Sequence, residues 1–212
     1  MCNSDSFVRL HDGAERFHGT NPIAVAAPSK SGSPWLLDMA TSAISYNRVQ
    51  LYKSLGVKLP NGAASDKLGC DTNEPDQAEM LAPLGSDFGF KGAGLAGMIE
   101  IFSALLTGMK TSAEILPMSG PDLSTPRNMG AFVICVDPES FVGQAAFLAG
   151  MDSYLSTLRN SAVRSGSRVM APGTREWEEA ARRREVGIPL DPSTAEAFID
   201  LANLANSPPP FN

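Results

Sequence analysis

Phe90-Lys91-Gly92-Ala93-Gly94-Leu95-Ala96-Gly97 carries glycines spaced G-x-G-x-x-G, yet the residues around it do not fit the fold that this spacing usually marks. A Rossmann unit needs a buried strand running directly into the glycines, so that the tight turn delivers a pyrophosphate to the next helix. Leu84-Gly85-Ser86-Asp87-Phe88-Gly89 is loop chemistry instead. The acidic partner expected about twenty residues further on would be Glu114, which precedes only a short apolar pair, Ile115 and Leu116. What survives is a cation, Lys91, before a helix N-terminus whose small residues let a ligand approach the backbone, which together make an anion site. The same glycines equally suit close packing of the helix, with Lys91 a solvated side chain.

That helix is expected from about Gly92 to Thr107, since Leu95, Met98, Phe102 and Leu105 recur at three- and four-residue intervals, and Gly108 stops it. Upstream, Ile23–Ala27 and Trp35–Leu37 read as short strands joined by Ser29-Lys30-Ser31-Gly32-Ser33, too tightly for anything but antiparallel pairing. A helix should follow Asp38, capped by Thr41 or Ser42, and run to Leu55 with Gly56 as its left-handed stop. Its apolar face would carry Ile44, Leu51 and Leu55. Residues 60–89 form a long irregular excursion.

Downstream, the uninterrupted Ala131-Phe132-Val133-Ile134-Cys135-Val136 reads as a central strand buried on both faces. Asp137-Pro138-Glu139 opens a helix to about Ser161, and Arg168–Met170 suggests one more strand. Pro172-Gly173-Thr174 leads, with Thr174 as N-cap, into a charged helix over 175–186, and a last helix spans 193–205. Arg182-Arg183-Arg184 among glutamates reads as a solvated face with ion pairs. The fold class expected is α/β, of an α+β kind: one domain over 1–212 in which helices flank a mixed, largely antiparallel, non-Rossmann sheet.

Composition narrows the function classes. With 43% hydrophobic and 19% charged residues the chain is an ordinary globular sequence, and its 212 residues suffice for a packed core. A net charge of -6 without a basic stripe speaks against nucleic acid, and no apolar run is long enough to cross a membrane. Cys2, Cys70 and Cys135 suit neither a disulfide framework nor a zinc site, and Cys135 is expected buried. A reducing cytoplasm is the expected compartment. His11 and His18 lack a nucleophile or carboxylate at informative spacing and read as structural. Asp38 suffices as a helix cap, although it stands where a strand meets a helix.

An ordered set of segments resembles the type-2 malate/L-lactate dehydrogenase superfamily of NAD(P)-dependent oxidoreductases. These are Gly19-Thr20-Asn21-Pro22-Ile23-Ala24, Leu37-Asp38-Met39-Ala40-Thr41-Ser42, Lys91-Gly92-Ala93-Gly94-Leu95, and Pro172-Gly173 with the later Gly187-Ile188. The opening Met1–Asp5 is similar to ureidoglycolate dehydrogenases, the middle to piperideine-2-carboxylate reductases. The resemblance implies a dimer and a cofactor, NAD or NADP, held by Ser4, by Asp38, Met39 and Ala40, by Phe90 and Lys91, and by Pro172, Gly173 and Thr174. It implies hydride transfer with a 2-hydroxy or 2-oxo acid, or a cyclic imino acid. Thr174 departs from the glutamate or other polar residue of many relatives. Residues 1–30 do not contain the Ser-His-Gly segment or the later histidine that serve substrate and proton in the family, so no catalytic residue is assigned. The chain is expected to be the carboxy-terminal part of the family fold, feeble or inert alone, with two alternatives: a non-catalytic nucleotide-binding remnant, or a fragment completed by an amino-terminal partner.

Overall fold

The computed structural model describes residues 1–212 except 31, 119 and 212. Strands β1 (Val8–Arg9) and β2 (Arg16–His18) pair antiparallel. The next two, β3 (Ile23–Ala27) and β4 (Trp35–Met39), form the expected antiparallel hairpin, from Ile23 opposite Met39 to Ala27 opposite Trp35. Ser31, within the expected turn, lies outside the described residues. Asp38 sits inside β4 opposite Ala24 and caps no helix.

Helix α1 (Tyr46–Ser54) begins later than expected, because Ser45 and not Thr41 or Ser42 caps it by accepting from the Arg48 N–H. The Thr41 hydroxyl is already committed, donating to the carbonyls of Thr20 and Asn21 at 3.1 Å, and the Ser42 hydroxyl donates to Ile44. Gly56 takes the left-handed conformation expected of the stop. The expected face is corrected: α1 buries Val49, while Leu51 and Leu55 are exposed.

Residues 60–89 are not wholly irregular. They hold β5 (Ala64–Ser65), β6 (Asp71–Thr72) and β7 (Met80–Leu81), which complete a sheet ordered β2-β1-β7-β5-β6. Only β1 and β7 run parallel, so the sheet is mixed and largely antiparallel. Two-residue strands leave no periodicity to read. The core lies where this sheet meets α1: Val8, Val49, Leu59, Ala64 and Leu81 are buried, with Phe7, Ile44 and Tyr52 against them.

Helix α2 (Phe90–Glu100) continues into a wider π-type turn at Ile101–Leu105 and stops at Gly108, whose φ is +68°. It packs through two small residues, Gly92 and Ala96, together with Ile99, all buried, while Leu95 and Leu105 of the expected face are exposed. Ala131–Val136 departs most from expectation. Only its start is paired, Ala131 by a bridge to Cys2 and Phe132 by backbone bonds to Met1, and Val133, Ile134, Cys135 and Val136 are all exposed. A two-faced apolar strand is buried only where layers cover it, and nothing among the described residues covers this one.

Pro138–Ser140 forms a short 3-10 turn, and Gly143 at φ +80° separates it from α3 (Gln144–Arg159). Residues 168–170 pair with no strand; Arg168 instead grips Glu178 through two hydrogen bonds. In α4 (Thr174–Val186) the N-cap is Gly173, at φ +89°, a backbone conformation that excludes threonine from that position, so Thr174 becomes the first helical residue. Arg182 and Arg183 both pair with Glu179, whose carboxyl they hold down at a pKa of about 2. Helix α5 (Pro192–Leu204) is capped by Asp191. No helix of the described residues is long and apolar enough to cross a membrane.

Candidate functional site

Strand β4 and its exit organise the site. At its start, the Leu36 N–H donates to the Pro172 carbonyl at 3.2 Å, and Gly173 presses so closely on this strand that a Cβ there would lie 3.0 Å from that of Leu36. The Trp177 indole reinforces the junction by donating to Pro34 at 3.0 Å. Past its end, the Thr41 N–H donates to Thr20 at 2.9 Å, while the Thr20 N–H donates to the Ser4 hydroxyl at 3.2 Å. The Thr41 carbonyl accepts from Leu84 at 2.9 Å, and the Leu84 carbonyl accepts from Gly92 at 3.1 Å. Segments from five parts of the chain thus hang on one strand. From Leu36 to Thr41 that line extends roughly 17 Å at ~3.4 Å per residue, which suits an elongated ligand better than a compact anion.

The expected contacts fall along it. Asp38 is exposed, Met39 and Ala40 are half-buried, and Asp38 forms no ion pair among the described residues. Phe90 and Lys91 are exposed at the start of α2, with the Lys91 ammonium 5.2 Å from the Phe88 ring centroid and without a carboxylate partner among the described residues. No direct hydrogen bond or ion pair joins Lys91 to Asp38, Ser4 or Thr174 among those residues.

Helix ends distinguish this region electrostatically. Ser45 caps α1 and Asp191 caps α5, whereas α2, α3 and α4 have no N-cap side-chain bond; of these three, α2 starts beside a cation, Lys91, and α4 at the Gly173-Thr174 junction with β4. An uncapped N-terminus presents partial positive charge to an anion. At α2 the Gly92 N–H is taken by Leu84, and at α4 the Thr174 N–H donates to Ala171 while the Glu176 carboxylate accepts from its own N–H, so the start of α2 beside Lys91 is the more anion-attracting of the two. Of the three fingerprint glycines, Gly92 serves packing, since a Cβ there would lie 2.2 Å from the Leu84 carbonyl oxygen, while Gly94 faces open space. Close packing and ligand access therefore divide between adjacent glycines.

A buried polar cluster holds the segment at Asn21. Glu100 accepts from the Ser112 N–H, from the Ser112 hydroxyl at 2.6 Å, and from the side-chain amides of Asn21 at 2.8 Å and Asn3 at 3.4 Å. His18 is buried next to it, with Nδ1 unpartnered; burial lowers its pKa, and the Glu100 charge offsets this only in part. His11 packs edge-on against Phe90 at 5.8 Å, beside the Lys91 segment. The roles of Glu100 and Thr41 and the placement of His11 went unread in the sequence, because each depends on partners far along the chain. A cleft of about 340 Å³ lined by Arg48, Tyr52 and Asn61 meets this region only at Leu84; none of the expected contacts lines it.

The malate/L-lactate dehydrogenase family profile matches residues 1–198. A Δ1-pyrroline-2-carboxylate/Δ1-piperideine-2-carboxylate reductase of Pseudomonas syringae pv. tomato is 34% identical over 205 residues, 95% of this chain and 57% of that protein. A ureidoglycolate dehydrogenase (NAD(+)) of Escherichia coli K12 is 35% identical over 147 residues, 69% of this chain and 41% of that one. The crystal structure of malate dehydrogenase from Entamoeba histolytica superposes with a TM-score of 0.89 at 29% identity, covering 99% of this chain and 61% of that chain. The chain therefore spans less than two thirds of the length of these relatives.

Proposed function

The chain belongs to the malate/L-lactate dehydrogenase family, and from that premise we propose that it is the nicotinamide-nucleotide-binding part of an oxidoreductase acting on 2-hydroxy or 2-oxo acids or cyclic imino acids. The observation that carries this reading is Lys91, a cation without a carboxylate partner among the described residues, beside the uncapped start of α2, which hangs on the exit of β4 through Leu84 and Thr41. A helix start with an adjacent cation suits a phosphate of NAD or NADP, and the line from there along β4 suits the rest of an elongated nucleotide.

In this reading Lys91 and the start of α2 hold a phosphate, and Asp38 accepts from hydroxyls of the ligand. Ser4, Met39, Ala40 and Phe90 line the same track, and the backbone at Pro172, Gly173 and Thr174 closes its other end. A bound nicotinamide supplies or accepts the hydride. The substrates named for the relatives share a carboxylate next to the carbon that a reductase of this kind would reduce, either a carbonyl or an imine. Oxidation of a 2-hydroxy acid also releases the hydroxyl proton, and none of the nine proposed contacts is assigned to take it. The 212 residues alone are accordingly feeble or inert catalysts, and the reading extends to a homodimer in a reducing cytoplasm. Titration with reduced and oxidised NAD and NADP, followed by Trp35 and Trp177 emission, tests the binding half. Efficient cofactor-dependent turnover of a 2-oxo acid by these residues alone would overturn the inert half. The exposed apolar run Val133–Val136 favours the second reading, a fragment completed by a partner, over a free-standing remnant.

A further inference from the structure

The cleft beside Leu84 has a charge pattern of its own. Backbone bonds tie its sides together: the Ala43 N–H donates to Ala82 at 2.8 Å, and the Ala82 N–H donates to Ala63 at 3.0 Å. The cleft is therefore built into the fold. At about 340 Å³ it lies at the small end of the roughly 300–1,000 Å³ usual for ligand pockets, which suits a small molecule and not a dinucleotide. Arg48 is the only charged residue lining it, and its guanidinium has no carboxylate partner among the described residues. Tyr52, one turn further along α1, shares its face. Asn61 accepts from the Asn73 amide at 2.7 Å through Oδ1, which leaves its own N–H groups to donate. The Ser86 hydroxyl is without a partner among the described residues. Ile44, Pro60, Ala63 and Leu84 supply an apolar wall.

One free cation, three uncharged donors and an apolar wall, with no carboxylate in the lining, complement a small organic acid; the planar fork of an arginine pairs with a carboxylate through two parallel bonds. Position supplies the second argument. Leu84, which lines the cleft, also donates to Thr41 past the end of β4 and accepts from Gly92 at the start of α2. The cleft thus borders the proposed nucleotide track at one residue, and hydride transfer needs its two reactants side by side. We propose that this cleft receives the 2-oxo, 2-hydroxy or cyclic imino acid, with the Arg48 guanidinium pairing with its carboxylate and Tyr52, Asn61 and Ser86 bonding its remaining polar atoms. The choice of ligand rests on the oxidoreductase reading; the cleft and its free cation do not.

The test is an NMR titration of the isotope-labelled 212-residue chain, without nucleotide, using pyrrole-2-carboxylate as a flat, unreactive cyclic acid and its neutral carboxamide as the control. The expected result is saturable binding of the carboxylate with shifts at the Arg48 side chain and the Gly85 and Ser86 amides. The carboxamide in the wild type, and the carboxylate in a folded Arg48→Met, should each bind at least about 10-fold more weakly. The carboxamide comparison needs no variant. No saturable binding, equal affinity for the two probes, unchanged affinity in Arg48→Met, or shifts at Lys91 and Thr174 in place of the cleft would each overturn the proposal. Displacement of the carboxylate by an equal concentration of inorganic phosphate would also overturn it, by making the cleft a phosphate site. Because no nucleotide is present, failure here is separable from failure of the cofactor reading, which the nucleotide titrations decide.

Discussion

Alanine substitution of the three fingerprint glycines separates packing from ligand access. In Gly92→Ala the new Cβ would sit 2.2 Å from the Leu84 carbonyl oxygen and 2.5 Å from its nitrogen, so backbone must move. Moving it strains both the 3.1 Å bond from Gly92 to Leu84 and the 2.9 Å bond from Leu84 to Thr41. Overpacking costs about 1–3 kcal/mol and each of the two weakened hydrogen bonds about 0.5–1.5 kcal/mol, against a helix-propensity gain of about 0.5–1 kcal/mol, leaving a net loss of roughly 1–5 kcal/mol. Gly94 has nothing within 4 Å, so Gly94→Ala keeps the propensity gain and raises stability by about 0.5–1 kcal/mol. At Gly97 the nearest atom is His18 Nε2 at 3.8 Å, an ordinary contact, and Gly97→Ala stays within about 1 kcal/mol of neutral. Urea denaturation of the three variants checks the order. Equal losses at Gly92 and Gly94, or a harmless Gly92→Ala, would refute the division between packing and access. A ligand approaching the open side adds a second signature: Gly94→Ala binds nucleotide more weakly while being more stable.

Glu100→Ala should destabilise by about 2–5 kcal/mol in the same assay, since it leaves the Ser112 N–H without its acceptor and strips one bond from each of the Asn3 and Asn21 amides. Full stability of that variant would show the cluster to be dispensable. His18 has its folded pKa below the ordinary 6.5, because burial disfavours the charged ring. The unfolded chain therefore binds the extra proton first: stability is full above about pH 6.5, falls as pH drops below it, and levels off below the folded pKa. Thermal melts of the wild type and His18→Gln between pH 7.5 and 5 should show this slope only with histidine present; the same slope in His18→Gln would assign it to other groups.

Legibility of the fold followed the length of each element. The β3–β4 hairpin was readable because two apolar runs flank a turn-forming stretch, and Gly56 and Gly108 mark stops through positive φ values that glycine adopts freely. β5, β6 and β7 were not, since two residues carry no period and their pairing is set by partners elsewhere. The buried side of α2 was misread because Gly92 and Ala96 pack by being small, which hydrophobic periodicity does not register. Ala131–Val136 looked central from its composition; burial, however, depends on a covering layer, and none is present among the described residues. For the site, Lys91 ahead of a helix start could be read locally, whereas the two expected strand-to-helix junctions could not: Asp38 lies inside β4 well before α1, and no strand leads into Gly173 among the described residues. The common suspension of these segments from β4 passes through Thr20, Thr41 and Leu84, whose backbone bonds leave no trace in residue type.

Calorimetric titration of the 212-residue chain and of Lys91→Ala with the reduced cofactors tests most directly whether β4 and its two uncapped helices bind a nicotinamide nucleotide with Lys91 as a phosphate partner. Saturable binding to the wild type, weakened by about 1.5–3 kcal/mol (about 10- to 150-fold) in a folded Lys91→Ala, is the expected result. Absence of saturable binding, or equal affinity in both proteins, would contradict it.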